Sequence, residues 1–193
     1  MQWAPFLIYM FTTAVTPGPN NILSMENGRR KGFVRALPFN LGVMAGFSAI
    51  SLASAFFLSA LSRLLPFLKL PLTAVGAAYL LVLARHSLYA ADAPEEQGSD
   101  ASFLRGVALQ FVNAKAYVYC MVSLEAFILP AYQGQPLQLA AFALMLSTAG
   151  FLCTLLWSAF GSTFRLLFSR HALAVNAAMA ALLVYCAVAM LLG

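Results

Sequence analysis

The chain has 193 residues, of which 62% are hydrophobic and only 9% are charged. Soluble domains are about 45–50% apolar and about 25% charged, so this composition excludes an ordinary soluble domain, a disordered chain and a disulfide scaffold. The net charge is +5, from 11 basic and 6 acidic residues. The composition indicates a protein embedded in a bilayer.

Six stretches are long and apolar enough to cross a bilayer as helices, which takes about 20 residues at about 1.5 Å per residue. None of them alternates with a period of two, which argues against a β-barrel. The predicted spans are Trp3 to Asn21, Leu37 to Leu61, Phe67 to Tyr89, Phe103 to Leu129, Leu137 to Phe160, and Leu173 to Leu192. The sequence thus predicts an all-α, polytopic membrane protein whose residues 1–193 form one transmembrane domain.

Short polar linkers are predicted between the spans. They are Glu26 to Arg35, Ser62 to Pro71, residues 92–101, Pro130 to Pro136, and Arg165 to His171. The second is expected to be a tight turn, because it contains two prolines. Residues 92–101 hold four of the six acidic residues and look like a linker in water.

Basic residues near the span ends predict the orientation. Eight Lys and Arg residues lie after the first, third and fifth spans and two lie after the second and fourth, which places the odd-numbered loops in the cytoplasm and both termini outside. This distribution accounts for the positive charge without a nucleic-acid partner. The halves, roughly 1–91 and 102–193, then have opposite orientations because each contains three spans, and residues 92–101 join them in the cytoplasm.

The first span is interrupted by the sequence TPGPNN. Its prolines remove backbone donors, and an unsatisfied carbonyl in hydrocarbon costs several kcal/mol, so such a segment is stable only against protein or a water-filled cavity. A plain kink, or a helix that ends at Asn20, is the alternative. The candidate ligand-binding residues here are Thr16, Pro17, Gly18, Pro19, Asn20 and Asn21.

The fourth span carries Gln110, Asn113 and Lys115 close to its middle. A lysine at that depth is costly and indicates a functional site, although snorkelling to an interface is the alternative. An ideal helix would place Asn113 and Lys115 about 200° apart, so they share a cavity only if the helix is distorted there.

Each predicted half therefore begins with an interrupted helix, and inverted halves with interruptions at matching positions are typical of a transporter binding site. The sequence contains no P-loop, no HExxH motif and no converging Ser, His and Asp set, so neither an enzyme nor a metal or other cofactor is expected. A passive channel remains a rival interpretation. Gly42 and Gly46 form a GxxxG pattern that predicts close helix packing, and small-residue faces permit a homodimer.

Several motifs resemble the lysine/threonine exporter (LysE/RhtB-type) family. They are TPGPNN, the GRRKGF of residues 28–33, the GAAYL of 76–80, the QFVNAK of 110–115 and the LLVYCAV of 182–188. The last two are especially similar to its cysteine/O-acetylserine exporter branch.

This resemblance implies six helices and export of small amino acids or their metabolites across the bacterial inner membrane, energised by protons. The family's Asn-Pro-Lys motif maps to Asn113 and Lys115, with Ala114 in place of proline. Many members carry an aspartate beside the second glycine of the second span, where this chain has Phe47. That difference favours a small neutral amino acid such as cysteine or O-acetylserine over lysine, with a threonine/homoserine-type exporter as the alternative.

From these motifs we expect Asn20 and Asn113, together with the exposed backbone from Pro17 to Pro19, to bind the zwitterionic head group of the substrate. Lys115 is expected either to pair with the carboxylate of the substrate or to act as a gate.

Overall fold

The structure, a computed structural model, describes residues 1–89, 99–164 and 171–192. Throughout these residues the only regular elements are helices, so the all-α prediction is confirmed there. In chain order they are α1 (Trp3–Val15), α2 (Pro19–Lys31), α3 (Phe33–Tyr89), α4 (Ser99–Val112), α5 (Ala114–Val122), a π-helical segment (Ser123–Ile128), α6 (Leu129–Tyr132), α7 (Pro136–Thr163) and α8 (Ala172–Leu192).

Three helical stretches in the described part of the chain are long and apolar enough to cross a membrane. They are Phe33–Phe57, Ala114–Tyr132 and Pro136–Thr163. Shorter apolar helices accompany them at Trp3–Val15, Thr73–Arg85, Ser102–Val112 and Leu173–Ala189.

The linker predicted from Glu26 to Arg35 is wrong, because α2 continues to Lys31 and only Gly32, with φ of 82°, separates it from α3. The predicted end of the first span at Asn21 is therefore too early. Basic residues in the last turn of α2 stabilise the negative end of the helix dipole. Arg29 also forms an ion pair of 2.7 Å with Glu26.

The predicted tight turn from Ser62 to Pro71 is also wrong, because these residues are helical and the non-helical residue of α3 is Phe57. Each proline removes only one backbone donor, and the leucine and lysine residues around them are strong helix formers. Buried side chains from both sides of Phe57, including Phe39 and Ala84, belong to one apolar cluster. Both parts of α3 therefore contribute to the same apolar core.

The remaining linkers are described only in part. The turn predicted from Pro130 to Pro136 is narrower than expected, since Pro130 lies in α6 and Pro136 begins α7. Of the predicted linker 92–101, residues 92–98 lie outside the described residues and 99–101 begin α4. Residues 165–170 of the last predicted linker lie outside them as well.

The first two helices run parallel to α7. At one end the rings of Trp3 and Phe142 are 5.9 Å apart. At the other end the backbone amide of Phe33 donates a hydrogen bond of 3.2 Å to Ser162 Oγ. We call this second end, which carries the cationic last turn of α2, the basic end of the bundle.

Glycines allow two pairs of helices to approach backbone to backbone. A Cβ on Gly42 of α3 would meet the carbonyl of Phe103 in α4, and a Cβ on Gly46 would lie 2.9 Å from Gln110 Cγ. The close packing predicted for this GxxxG pair is confirmed. Both glycines face α4 of the same chain, so the homodimer stays a prediction that this pair does not support.

The second pair is α2 with α7. A Cβ on Gly28 would meet the carbonyl of Ser158, and a Cβ on Gly161 would meet the carbonyl of Met25. We refer to this contact of Gly28, Ser158, Gly161 and Met25 as the glycine seam. It holds α2 against α7 near the basic end.

A Gly28→Ala substitution is expected to destabilise the protein, because the added methyl group would overlap a backbone carbonyl that cannot rotate away. Overpacking of this kind costs about 1–3 kcal/mol, which lowers the melting temperature of a chain of this size by several degrees. Thermal unfolding in detergent measures the effect. The matched control is Gly150→Ala, whose Cβ would meet only the Phe47 ring at 3.8 Å. An equal loss of melting temperature in both variants would contradict the role given to the seam.

Candidate functional site

The chain between α1 and α2 is an extended break whose carbonyl groups are hydrogen bonded by side chains. Asn21 Nδ2 donates to the carbonyl oxygens of Ala14 at 2.8 Å and Thr16 at 2.9 Å. Trp157 Nε1 of α7 donates to the carbonyl of Val15 at 3.1 Å. The break is stable because the side chains replace donors that the two prolines lack.

A second break separates α4 from α5 at Asn113, which has φ of −92° and ψ of 94°. The side-chain oxygen of Asn113 accepts a hydrogen bond of 3.2 Å from the backbone amide of Lys115, so the asparagine caps the start of α5. This distortion brings the side chains of Asn113 and Lys115 to the same cavity, which an undistorted helix would not do.

The two breaks meet through the lysine. Lys115 Nζ donates hydrogen bonds of 2.9 Å to both the carbonyl oxygen and Oγ1 of Thr16. Gly18 makes room for this contact, since a Cβ there would lie 3.0 Å from Lys115 Cδ and 3.1 Å from Nζ. The ammonium therefore bridges the interruption of the first helix.

Three side-chain amides, which we call the amide cluster, join the breaks next to the lysine. Asn20 and Gln110 exchange two hydrogen bonds of 3.0 Å each, and Asn113 Nδ2 donates to Asn20 Oδ1 at 3.0 Å. Gln110 is fully buried and also donates to the carbonyl of Gly106 at 3.2 Å. Asn20 and Asn113 each donate one N–H within the cluster, which leaves the second N–H of each amide for a ligand that accepts hydrogen bonds.

A cavity that is partly open to the surroundings lies against these groups. The polar side is formed by the two breaks, and the other walls come from α3, α5 and α7. The lining residues of those walls are Val43, Met44, Phe47, Ala116, Tyr119, Ser147, Gly150, Phe151 and Thr154.

Most of the site residues expected from the sequence lie at this cavity. Its lining includes Gly18, Pro19, Asn20, Asn21, Asn113 and Lys115. Three others do not line it: Thr16 accepts from the lysine, Gln110 lies behind Asn20, and Pro17 is exposed at the break.

The wall residues from α3, α5 and α7 were not among the site residues expected from the sequence. Phe47 and Tyr119 stack with ring centroids 5.6 Å apart and close one side of the cavity. Aromatic residues are common in apolar spans and give no signal of their own. Ser147 and Thr154 lie seven residues apart on one face of α7, and this polar spacing in an apolar span is a signal that would have located them.

The cavity carries a positive charge. Among the described residues that line it, Lys115 carries a charge and no carboxylate is present. Glu125, the nearest acidic residue along this part of the chain, is exposed. In the described part of the chain no group of acidic, histidine or cysteine side chains is arranged to hold a metal ion. An ammonium beside free amide donors suits a carboxylate ligand.

A Gly18→Ala substitution is expected to weaken ligand binding, because its methyl group would displace the ammonium of Lys115 from its position beside the amide cluster. Ligand affinity should fall several-fold while the melting temperature changes little, because a lysine end moves more easily than backbone. Combining it with Lys115→Met checks the cause, since the glycine substitution should have no further effect once the amine is absent. Additive losses of ligand affinity in the double variant would refute the steric explanation.

Comparisons with known proteins identify the family of the chain. The LysE type translocator family matches residues 11–193. The cysteine/O-acetylserine efflux protein of Klebsiella pneumoniae subsp. pneumoniae is 37% identical over 186 residues, which cover 95% of this chain and 93% of that protein. The proteins of the same name from Escherichia coli and Shigella flexneri are each 35% identical over 188 residues, covering 95% of this chain and 94% of theirs. No solved structure matches the chain. The protein is therefore a member of the LysE type translocator family.

Proposed function

We propose that the protein exports small neutral amino acids or closely related metabolites, with cysteine and O-acetylserine as the substrates, across the bacterial inner membrane. The observation that carries this proposal is the cavity where an ammonium and an amide cluster meet and no carboxylate of the described residues lines the wall. The choice of these substrates rests on the relatives, which are 35–37% identical and named for cysteine and O-acetylserine efflux.

In the proposed topology six spans form two inverted halves, and both termini lie outside. The pairing of helices supports the inverted halves. The first span lies parallel to the fifth, since Trp3 packs on Phe142 near the start of both helices and Val15 accepts a hydrogen bond from Trp157 further along both. The second span lies parallel to the fourth, since the contacts of Gly42 and Gly46 advance together along α4. Inverted halves require these two pairs to be related, because the first span corresponds to the fourth and the second to the fifth.

In the proposed binding mode the carboxylate of the substrate takes the place of Thr16 as the partner of Lys115. The remaining N–H groups of Asn20 and Asn113 then hold the same carboxylate, and Gln110 keeps Asn20 in position. Pro17, Gly18, Pro19 and Asn21 fix the shape of the break that admits the substrate. The apolar and hydroxyl-bearing walls suit a short neutral side chain.

Counterflow in reconstituted vesicles tests the function. Vesicles loaded with unlabelled cysteine or O-acetylserine should accumulate the labelled compound with saturable kinetics, and lysine should not compete. An imposed proton gradient should accelerate net export if protons energise it. Flux that does not saturate and ignores the gradient would indicate a channel. Transport of threonine or homoserine without cysteine would favour the other exporter branch.

A further inference from the structure

Three polar side chains next to the cavity are fully buried and lack hydrogen-bond partners. Ser24 of α2, Asn40 of α3 and Ser158 of α7 each have a relative exposure of 0%. Neither amide atom of Asn40 and neither of the two serine hydroxyls has a partner within the described part of the chain. We call these three residues the polar layer.

The polar layer lies one helical turn from the cavity, on the side of the basic end. Ser24 follows the lining residue Asn20 by four positions, and Ser158 follows the lining residue Thr154 by four. Asn40 precedes the lining residue Met44 by four, and α3 runs in the opposite direction from α2 and α7. Four residues rise about 6 Å along a helix, so all three side chains are at about the same depth.

Such a layer is costly to the fold. A buried polar group without a partner costs about 1–3 kcal/mol, and apolar residues of similar shape would be more stable. The surrounding helices satisfy other amides: Asn27 donates to the carbonyl of Leu23 at 2.9 Å, and Asn176 accepts from Arg29 at 2.8 Å. Buried polar groups that lack protein partners are typically satisfied by water or a ligand. The polar layer is therefore suited to a polar occupant.

The glycine seam separates the polar layer from the basic end. Ser158 belongs to both the layer and the seam, because its side chain is in the layer and its carbonyl packs on Gly28. The contact of α2 with α7 is thus tightest just beyond the layer. Separation of these two helices at the seam would open the layer toward the basic end.

Hydroxyl groups also continue on the opposite side of the cavity. Ser147 Oγ lies 3.5 Å from Ser51 Oγ across α7 and α3, and both side chains are buried. Polar side chains therefore extend from the cavity in both directions along the bundle.

We propose that Ser24, Asn40 and Ser158 form a second binding station for the polar head group of a small amino acid, between the central cavity and the basic end. The amide of Asn40 offers a donor and an acceptor, and the hydroxyls of Ser24 and Ser158 complete the contacts from the facing helices. The station is occupied when the glycine seam separates. This inference rests on the proposed function and assigns the route that the substrate takes to the cavity.

An Asn40→Leu variant tests the station, because leucine keeps the branching of the side chain and removes only its polar atoms. The expected result is an unchanged or higher melting temperature, unchanged affinity of cysteine for the purified protein, and efflux reduced at least tenfold. The matched control is Asn27→Leu, which loses an amide bonded to its own helix and should transport within twofold of the wild type.

Two results would overturn the proposal. Wild-type efflux by the Asn40→Leu variant excludes a station, and a parallel loss of melting temperature, affinity and efflux assigns Asn40 a structural role. A wild-type protein that transports neither substrate refutes the proposed function instead.

A labelling measurement tests the polar layer independently of transport. Ser24→Cys, placed in a variant whose Cys120, Cys153 and Cys186 are replaced by alanine, should react with a small water-soluble thiol reagent, and added cysteine analogue lacking a thiol should slow the reaction. Absence of reaction under native conditions, with full reaction after unfolding, would show that the layer is never reached by water and would refute the station.

Discussion

Replacement of Lys115 by methionine is expected to reduce efflux at least tenfold. A hydrogen bond to a charged group contributes about 1.5–3 kcal/mol, which corresponds to roughly 10–100-fold in binding. Methionine keeps the length and apolar stem of the side chain, so the variant removes the ammonium with little change in packing. Initial rates of counterflow at several substrate concentrations measure the effect.

The control for this substitution is Lys31→Met, which makes the same chemical change at the last residue of α2, away from the cavity. Its rate should remain within twofold of the wild type. Lys115→Arg extends the test, because the guanidinium keeps the charge but is larger and differs in shape from the ammonium beside Gly18. It should recover only a small part of the activity. A Lys115→Met variant that transports as fast as the wild type would remove the lysine from the mechanism.

Replacement of Asn20 by alanine is expected to affect both stability and transport. Asn20 makes hydrogen bonds to Gln110 and Asn113, and its loss leaves their buried amides without those partners. Each buried amide group left unpaired costs about 1–3 kcal/mol. The melting temperature should fall by several degrees, and export should drop at least tenfold because the donors of the cluster are misplaced.

A double variant distinguishes the two effects of Asn20. Adding Gln110→Leu removes one of the unpaired groups, so Asn20→Ala with Gln110→Leu should recover part of the lost melting temperature and none of the lost transport. Asn27→Ala on the same helix serves as the control, since its amide bonds to the carbonyl of Leu23 in its own helix. Recovery of transport along with stability would mean that the amide cluster only supports the fold.

The sequence located both interruptions because prolines and a central lysine are rare and costly in an apolar span. The break at residues 16–18 and the cap at Asn113 follow from local chemistry, and so does their hydrogen bonding by side chains. The hypothesis that they share a cavity required the distortion at Asn113, which the structure contains. Their role in binding stays a prediction.

Other features depend on tertiary context that a single sequence does not encode locally. The basic residues after Asn21 looked like a linker, yet they extend α2 because Arg29 is paired with Glu26 and Asn176. The prolines from Ser62 to Pro71 looked like a turn and lie within a helix. Phe47 and Tyr119 could not be told from packing residues, because their position at the cavity depends on how three helices meet.

The indole of Trp157 offers a way to observe the break in solution. The chain has two tryptophans, and the other, Trp3, lies at the opposite end of the first helix. A Trp3→Phe variant therefore carries a single fluorophore whose N–H is bonded to the carbonyl of Val15 at the start of the break. Its emission wavelength and anisotropy would report, without any attached label, each time the first helix changes shape during a transport cycle.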